Sequence, residues 1–384
     1  MLLLIVIFIA IFATPALATP TVNLDGRQLA FEVPPAIADR RTRVPLRASL
    51  EAKGATVSWD QATQTASAVK DDTKVVLKIG STKPTINGKV KPLDVPAKIV
   101  NGRTLAPLRF VGEAFGGAVA WDGTTQTITI VSPQYSAKLT KVHFIDVGQA
   151  DSIYIQLPNH NDILIDGGNV DDGPAVVDYL KAQGVDDIEL MVATHPHEDH
   201  IGGLSDVLNA FRVDEIMDSG KDASTKTYSI YAATAKAEGC TWVADNYQTF
   251  TYGKVSLQIL TGDQDWGDEI NDYSVVCRLD TGDIEFLFMG DAETPVEQTL
   301  TGSLEAEILK VGHHGSSSSS SPEFLKQVNP KAAVICCGAG NTYRHPHQET
   351  LDNLGKIGAA VYRTDLNGNI VVATDGATFF VNSN

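Results

Sequence analysis

Cysteine is scarce in this sequence. There are four among 384 residues, at positions 240, 277, 336 and 337, and none has the C-x-x-C spacing of a thiolate metal site. Four scattered thiols make no disulfide framework, so buried free cysteines are expected, with adjacent Cys336 and Cys337 facing opposite sides of an apolar strand. Basic residues are also in deficit. Net charge is −17, and the shortage lies in one part of the chain: the first 137 residues hold 15 Lys+Arg against 10 Asp+Glu, and the rest hold 15 against 37. So acidic a stretch lacks the broad basic footprint of a protein that tracks nucleic acid. It does not exclude a nuclease, because bound metal ions supply local positive charge. Long apolar runs are missing beyond the start of the chain, so no multi-span membrane region, and no transport through one, is expected. The run from Leu2 to Phe12 is too short for a comfortable span of roughly 20 residues. Ala16-Leu17-Ala18 follows it at a spacing that suits signal peptidase. We therefore expect a signal peptide over residues 1–18 and a secreted or cell-surface protein; the run has no basic residues ahead of it, and an uncleaved anchor is the alternative.

Residues 22–131 contain no His, Cys or Met, and no cluster of catalytic residue types. What they contain is a repeat. Arg41-Thr42-Arg43-Val44-Pro45-Leu46-Arg47 recurs 62 residues later as Arg103-Thr104-Leu105-Ala106-Pro107-Leu108-Arg109, and the match continues through Glu51/Glu113, Gly54/Gly116, Trp59/Trp121 and Asp60/Asp122. Each copy predicts a short helix after Pro-Leu-Arg, a glycine stop, then a hairpin around Trp-Asp. The pattern resembles the copper amine oxidase N-terminal domain, although the segment offers no copper ligands. A stalk or a module binding the cell envelope is expected, with a structural spacer as the alternative.

From Lys138 onward short apolar strands alternate with helical patterns: strands Val142–Val147, Ile153–Leu157 and Ile163–Ile165, a helix near 174–182, and a strand through Leu190–Ala193. After a helix at 204–210 the chain reads as less regular until Val255. Strands resume at Val255–Leu260, Ser274–Leu279, Ile284–Met289, Ile308–Val311 and Ala332–Cys337, and close the chain after a helix near 349–356. Two groups of strands with interspersed helices predict two packed sheets covered by helices, an α/β (α+β) unit over residues 138–384 behind a smaller α+β repeat domain over 22–131.

The densest chemistry is Thr194-His-Pro-His-Glu-Asp-His200, which sets His195, His197, Asp199 and His200 at a strand end before a helix. Imidazole and carboxylate are the ligands expected for Zn²⁺ or a similar divalent ion. Further polar residues close later strands: Asp166 before Gly167-Gly168, Asp291 in Met-Gly-Asp-Ala-Glu, His313-His314, and His345-Pro346-His347. Seven of nine histidines fall in these three clusters; His143 and His160 stand apart as packing and turn residues. The runs Ser316–Ser321 and Gly338-Ala339-Gly340 read as mobile substrate loops or linkers.

The forms FIDVGQADS, LIDGG, THPHEDHIGG, MGDAE, LKVGHHGS and RTDLNGNI resemble the metallo-β-lactamase fold, in the branch of the ComEC-type competence proteins and secreted relatives that include a phosphorylcholine esterase. The resemblance spans about residues 140–384 and implies an αββα sandwich with two divalent ions, Zn or Mn. It assigns His195 and His197 to one ion, Asp199 and His200 to the other, Asp291 to both, and His314 to the second, with His345 as its rival. It makes His313 the acid or oxyanion donor facing substrate; Asp199 and Asp166 join it as catalytic residues, Asp166 ordering the metal loop from behind the ligands. The family's usual extra His between the first cluster and the bridging Asp is missing, leaving Asn271 and Asp272 as the nearest candidates and one site with three ligands. Two such ions lower the pKa of a shared water. The implied activity is hydrolysis of phosphodiesters in nucleic acid or a cell-wall polymer. The alternatives are hydrolysis of a carboxylic ester, amide or lactone and, in another class, a non-catalytic surface-binding protein.

Overall fold

The computed structural model describes residues 20–38, 41–122, 126–244, 247–262 and 264–383, so the expected signal peptide at 1–18 lies outside the described residues. The chain divides into two compact units, Met1–Tyr135 and Ser136–Asn384.

In the first unit the two repeat copies lay down the same elements in the same order. Strand Arg41–Pro45 runs into helix Leu46–Ala52, and strand Arg103–Pro107 into helix Leu108–Glu113. Pro45 and Pro107 stand at the helix entrances, where a missing backbone N–H has no partner to lose. Gly54 (φ +83°) and Gly116 (φ +75°) then take the left-handed conformation that ends a helix. Hairpins follow, Thr56–Asp60 with Thr65–Lys70 and Ala118–Asp122 with Thr127–Val131. The copies meet through antiparallel strands in the register Pro45↔Leu105, Val44↔Ala106 and Arg43↔Pro107. Val44 and Ala106 are equivalent positions of the repeat, so a local two-fold axis passes between them. Val44, Leu50, Ala106, Val111 and Ile128 are buried around it.

The second unit holds two mixed sheets. In spatial order the first joins Thr241–Ala244, Arg212–Asp218, Asp187–Ala193, Asp162–Ile165, Ile153–Gln156, Thr140–Phe144, Ile370–Thr374 and Phe379–Ser383. The second joins Thr249–Tyr252, Val255–Ile259, Cys277–Asp280, Glu285–Phe288, Ile308–Lys310, Ala332–Ile335 and Ala360–Arg363. Phe144, Ile155 and Val192 of one sheet share a core with Leu257, Phe286 and Val334 of the other. Strands in the middle of a sandwich are buried on both faces, which is why they read as continuous apolar runs rather than alternations. On the outer faces, Leu164 and Met191 pack with Val176 and Leu204 from helices Gly173–Gln183 and Leu204–Ala210, and Leu309 with Phe324 and Leu354 from Pro322–Val328 and Gln348–Lys356. The result is helix, sheet, sheet, helix. Cys336 lies in the inner core and Cys337 in the outer one, and all four cysteines are free.

Residues 211–254 are not irregular. They form strand Arg212–Asp218, helix Lys226–Glu238 and strands Thr241–Ala244 and Thr249–Tyr252. The helix buries only Tyr231 and Ala235, so its sequence carries too narrow an apolar stripe to be read. Nor is the serine run a linker. Ser319 and Ser320 are buried, Ser319 Oγ donates to the Gly312 carbonyl (2.8 Å), and Ser321 caps helix Pro322–Val328.

Candidate metal centre

The ligand-bearing loops leave strand ends of both sheets and converge. Asp166 follows strand Asp162–Ile165 in a left-handed turn (φ +58°) that turns its carboxylate back under the next loop. It accepts the Thr194 N–H (2.8 Å), the Thr194 hydroxyl (2.7 Å) and His200 Nδ1 (2.8 Å). Asp166 is wholly buried with both oxygens occupied, so it positions the loop and the His200 ring rather than meeting a substrate. A Cβ on Gly203 would stand 2.2 Å from the Gly167 carbonyl oxygen; the paired glycines let the two loops pass this closely.

Two groups of donors result. Asp199, His200, Asp291 and His314 bring one ligand atom each within 4.8 Å of one another, and so do His195, His197 and Asp291. Asp291 is common to both. His195 Nε2 and His197 Nδ1 approach to 3.0 Å, as two imidazoles aimed at one point must. In the other group His200 Nε2 is 3.3 Å from Asp291 Oδ2, and His314 Nε2 is 3.3 Å from Asp199 Oδ2 and 3.5 Å from Asp291 Oδ1. His200 Nε2, His314 Nε2 and Asp291 Oδ1 are buried without a hydrogen-bond partner. Orphaned buried donors and acceptors that face one another fit a cation between them. The donor set, imidazole with carboxylate, suits Zn²⁺ or Mn²⁺.

Electrostatics differ between the groups. Burial works against a charged His314, yet the Asp291 and Asp151 carboxylates raise it to about 10. Burial likewise opposes charge on His200, and Asp291, Asp166 and Asp199 lift it well above the ordinary imidazole value. Burial would raise Asp291, but His200 and His314 hold it well below the usual carboxylate range. His195 and His197 are pushed down, by burial first. That direction favours the neutral imidazole, the form that ligates a metal.

His313 and His314 diverge, but not by strand alternation. The strand has ended at Lys310, and both residues are left-handed (φ +44° and +51°) inside a single turn, Gly312–Gly315. Such backbone costs of order 1–3 kcal/mol per residue and persists where surroundings hold it. It sends His314 inward, Nδ1 donating to the Cys336 carbonyl (2.9 Å). His313 turns to the open side, with Nδ1 against Glu293 Oε1 (2.9 Å) and Nε2 3.8 Å from Asp291 Oδ2. Glu293 also accepts the Ser318 hydroxyl (2.9 Å). His345 stands on the same wall, its ring 5.3 Å from His313 and 6.3 Å from His314. Among the described residues it belongs to neither donor group. Of the residues nearest the missing histidine, Asp272 accepts the Glu293 N–H (3.1 Å) and Asn271 Nδ2 reaches Glu293 (3.3 Å). Ser274 Oγ stands 3.3 Å from His195 Nδ1 and accepts the Asp291 N–H (2.9 Å). Asp151, Ser274, Glu293 and Lys310 escaped the reading of the sequence. Asp151, Glu293 and Lys310 nonetheless lie inside FIDVGQADS, MGDAE and LKVGHHGS, and Lys310 stands out as a lysine inside an apolar strand.

Residues 145–339 match the family described as Metallo-beta-lactamase superfamily. The chain belongs to that superfamily. Residues 23–130 match the Copper amine oxidase N-terminal domain. Among curated proteins this metallo-β-lactamase chain is similar to ComE operon protein 3 of Bacillus subtilis, 28% identical over 60% of this chain and 32% of that protein. It is also similar to Recombination protein 2 of Haemophilus influenzae, 31% identical over 62% of this chain and 29% of that protein, and to Competence protein ComA of Neisseria gonorrhoeae, 31% identical over 58% and 30%. The matches span about a third of the length of these ComEC-type relatives. Among solved structures a diphosphatase from the PhnP family covers 64% of this chain and 100% of its own, at 16% identity and TM-score 0.39.

Proposed function

We propose that the protein is an exported, two-metal hydrolase of phosphodiester bonds, with DNA or a phosphate-linked cell-wall polymer as substrate. The observation that carries this is the sharing of Asp291 by two donor groups, with His313 beside them and in neither. Divalent ions held there would supply Lewis acidity and make hydroxide available near neutral pH. The chain's own residues do the rest. Asp199, His200, Asp291 and His314 would hold one ion, and His195 and His197 with Asp291 the other. Glu293 fixes the His313 ring so that Nε2 is turned toward Asp291, where it would hand a proton to the leaving oxygen or stabilise charge on a non-bridging one. The likeness to competence proteins supports a nucleic-acid-like substrate. The excess of basic residues in the repeat unit supports attachment to anionic envelope material.

The test is a substrate panel on protein loaded with Mn²⁺ or Zn²⁺: bis(p-nitrophenyl) phosphate, p-nitrophenyl phosphate, p-nitrophenyl acetate, and single- and double-stranded DNA. The phosphodiesters should turn over fastest. Faster cleavage of the acetate would move the assignment to carboxylic esters, amides or lactones, and inertness toward all five would leave a binding protein.

A further inference from the structure

Beneath the second donor group lies an ion pair that the chemistry above does not use. Lys310 is 0% exposed at the end of its strand, and Asp151 is 1% exposed in the loop ahead of Ile153–Gln156 of the other sheet. The ammonium and carboxylate are in direct contact. Asp151 Oδ1 stands 3.4 Å from His314 Nδ1, and Oδ2 stands 3.9 Å from His200 Nδ1. Its backbone N–H donates to the Asp199 carbonyl (3.1 Å), and its carbonyl accepts the Gly168 N–H (2.8 Å). Lys310 Nζ donates to the Gly290 carbonyl (3.1 Å), next to Asp291, and that carbonyl also receives the His313 N–H (3.1 Å). The pair therefore touches Asp199, His200 and His314, and the residue before Asp291. Among the described residues neither side chain hydrogen-bonds or ion-pairs with His195 or His197.

Resting on the dinuclear reading above, we infer that Lys310 and Asp151 are positioning residues that set how tightly the second donor group holds its ion. Burying an ion pair seldom stabilises a fold more than apolar side chains of the same volume would, so stability alone gives this pair no task. What apolar side chains cannot do is hold a carboxylate at His314. Between the Cys336 carbonyl and Asp151, the His314 Nδ1 proton is fixed, and Nε2 is left as the atom that faces Asp199 and Asp291. Lys310 in turn holds the Asp151 carboxylate in place against His314, so that losing either side chain releases the ring. Asp151, Asp166 and His200 also bring one ligand atom each within 4.8 Å of one another, and Lys310 pairs with the Asp151 member of that group.

Full-length protein stripped of metal and titrated with Mn²⁺, followed by calorimetry and by the electron paramagnetic resonance of free Mn²⁺, tests this. His197→Ala and His314→Ala identify which binding step belongs to which group. Lys310→Met and Asp151→Asn should each weaken the step lost in His314→Ala by roughly 10–100-fold, the range for residues that support a ligand. The step lost in His197→Ala should stay within threefold. The double variant Asp151→Asn/Lys310→Met, which buries no charge, should regain the wild-type melting temperature without regaining that affinity. A double variant that binds the second ion as wild type does, or single variants that weaken both steps equally or neither, would overturn the inference while leaving the dinuclear reading intact. A wild type that binds only one Mn²⁺ would overturn the dinuclear reading and this inference with it.

Discussion

The two units treat charge in opposite ways. In the repeat unit, ionic partners such as Arg41 with Asp94, Arg47 with Glu51 and Arg103 with Glu32 sit in solvent. Such pairs contribute about 0–1 kcal/mol each. In the hydrolase unit Asp151, Asp166, His200, Asp291, Lys310 and His314 are all at most 2% exposed. Taking an ion out of water costs several kcal/mol unless other groups compensate. Here each group's charge is compensated by the next, and only as a set. Charge in the repeat unit is therefore dispensable one residue at a time. In the hydrolase unit the loss of one member leaves a neighbour's buried charge uncompensated, so stability there depends on the set.

The largest expected effect tests that contrast at its centre. Asp291→Asn keeps the shape but removes the one carboxylate common to both donor groups, so both ions should be lost and phosphodiester turnover should fall to background. Elemental analysis after reconstitution and the rate on bis(p-nitrophenyl) phosphate are the measurements. The matching change in the repeat unit, Glu51→Gln, should leave metal and rate alone and shift stability by no more than about 0.5 kcal/mol. Retention of both ions by Asp291→Asn would remove the shared ligand and with it the contrast.

Next comes the division between adjacent histidines. His314→Ala should lower metal content, whereas His313→Ala should keep both ions and lose turnover by roughly 10²–10⁴, the range for general acid–base catalysis. His345→Ala should keep both ions, since its ring lies beside the donor groups and in neither. Loss of an ion from His345→Ala with retention in His314→Ala would exchange their roles.

Much of this arrangement is legible in the residues themselves, for a physical reason. A strand buried on both faces is an unbroken apolar run, so polar residues at its end stand out, and Asp166, His195–His200, Asp291 and His313-His314 are all such endings. The sandwich follows from the same runs. Illegible were features that depend on which strands become neighbours. Asp151 meets Lys310 only because loops of two different sheets converge, across 159 positions of sequence. Glu293 closes the MGDAE run with no role legible in it, because its role exists only where the Gly312–Gly315 turn brings His313 against it. That turn leaves no mark in the sequence, because its left-handed positions are filled by histidines rather than the usual glycine. Helix Lys226–Glu238 was hidden by its own polarity.

The smallest effect belongs to the exception in the repeat unit. Lys53 is buried there beside helix Leu46–Ala52, its ammonium donating to the Gly112 carbonyl. Burial, with Lys70 adding to it and Asp25 opposing, lowers its pKa to about 8, against about 10.4 in an unfolded chain. Between those values the unfolded chain binds a proton that the folded chain does not, so the folded state gains stability as pH rises from about 8 to about 10. Below about 8 both states are protonated, and the cost of the buried charge is felt in full. Lys53→Met carries no such charge, although it leaves the Gly112 carbonyl without its donor, a loss that does not change with pH. The difference in melting temperature, Met variant minus wild type, should therefore shrink steadily between pH 8 and pH 10 and be flat from pH 6 to pH 7. Metal content and turnover should be unchanged throughout. If the difference stays constant to pH 10, Lys53 is an ordinary amine; if it shrinks and turnover shifts with it, the two units do not keep their charges to separate ends.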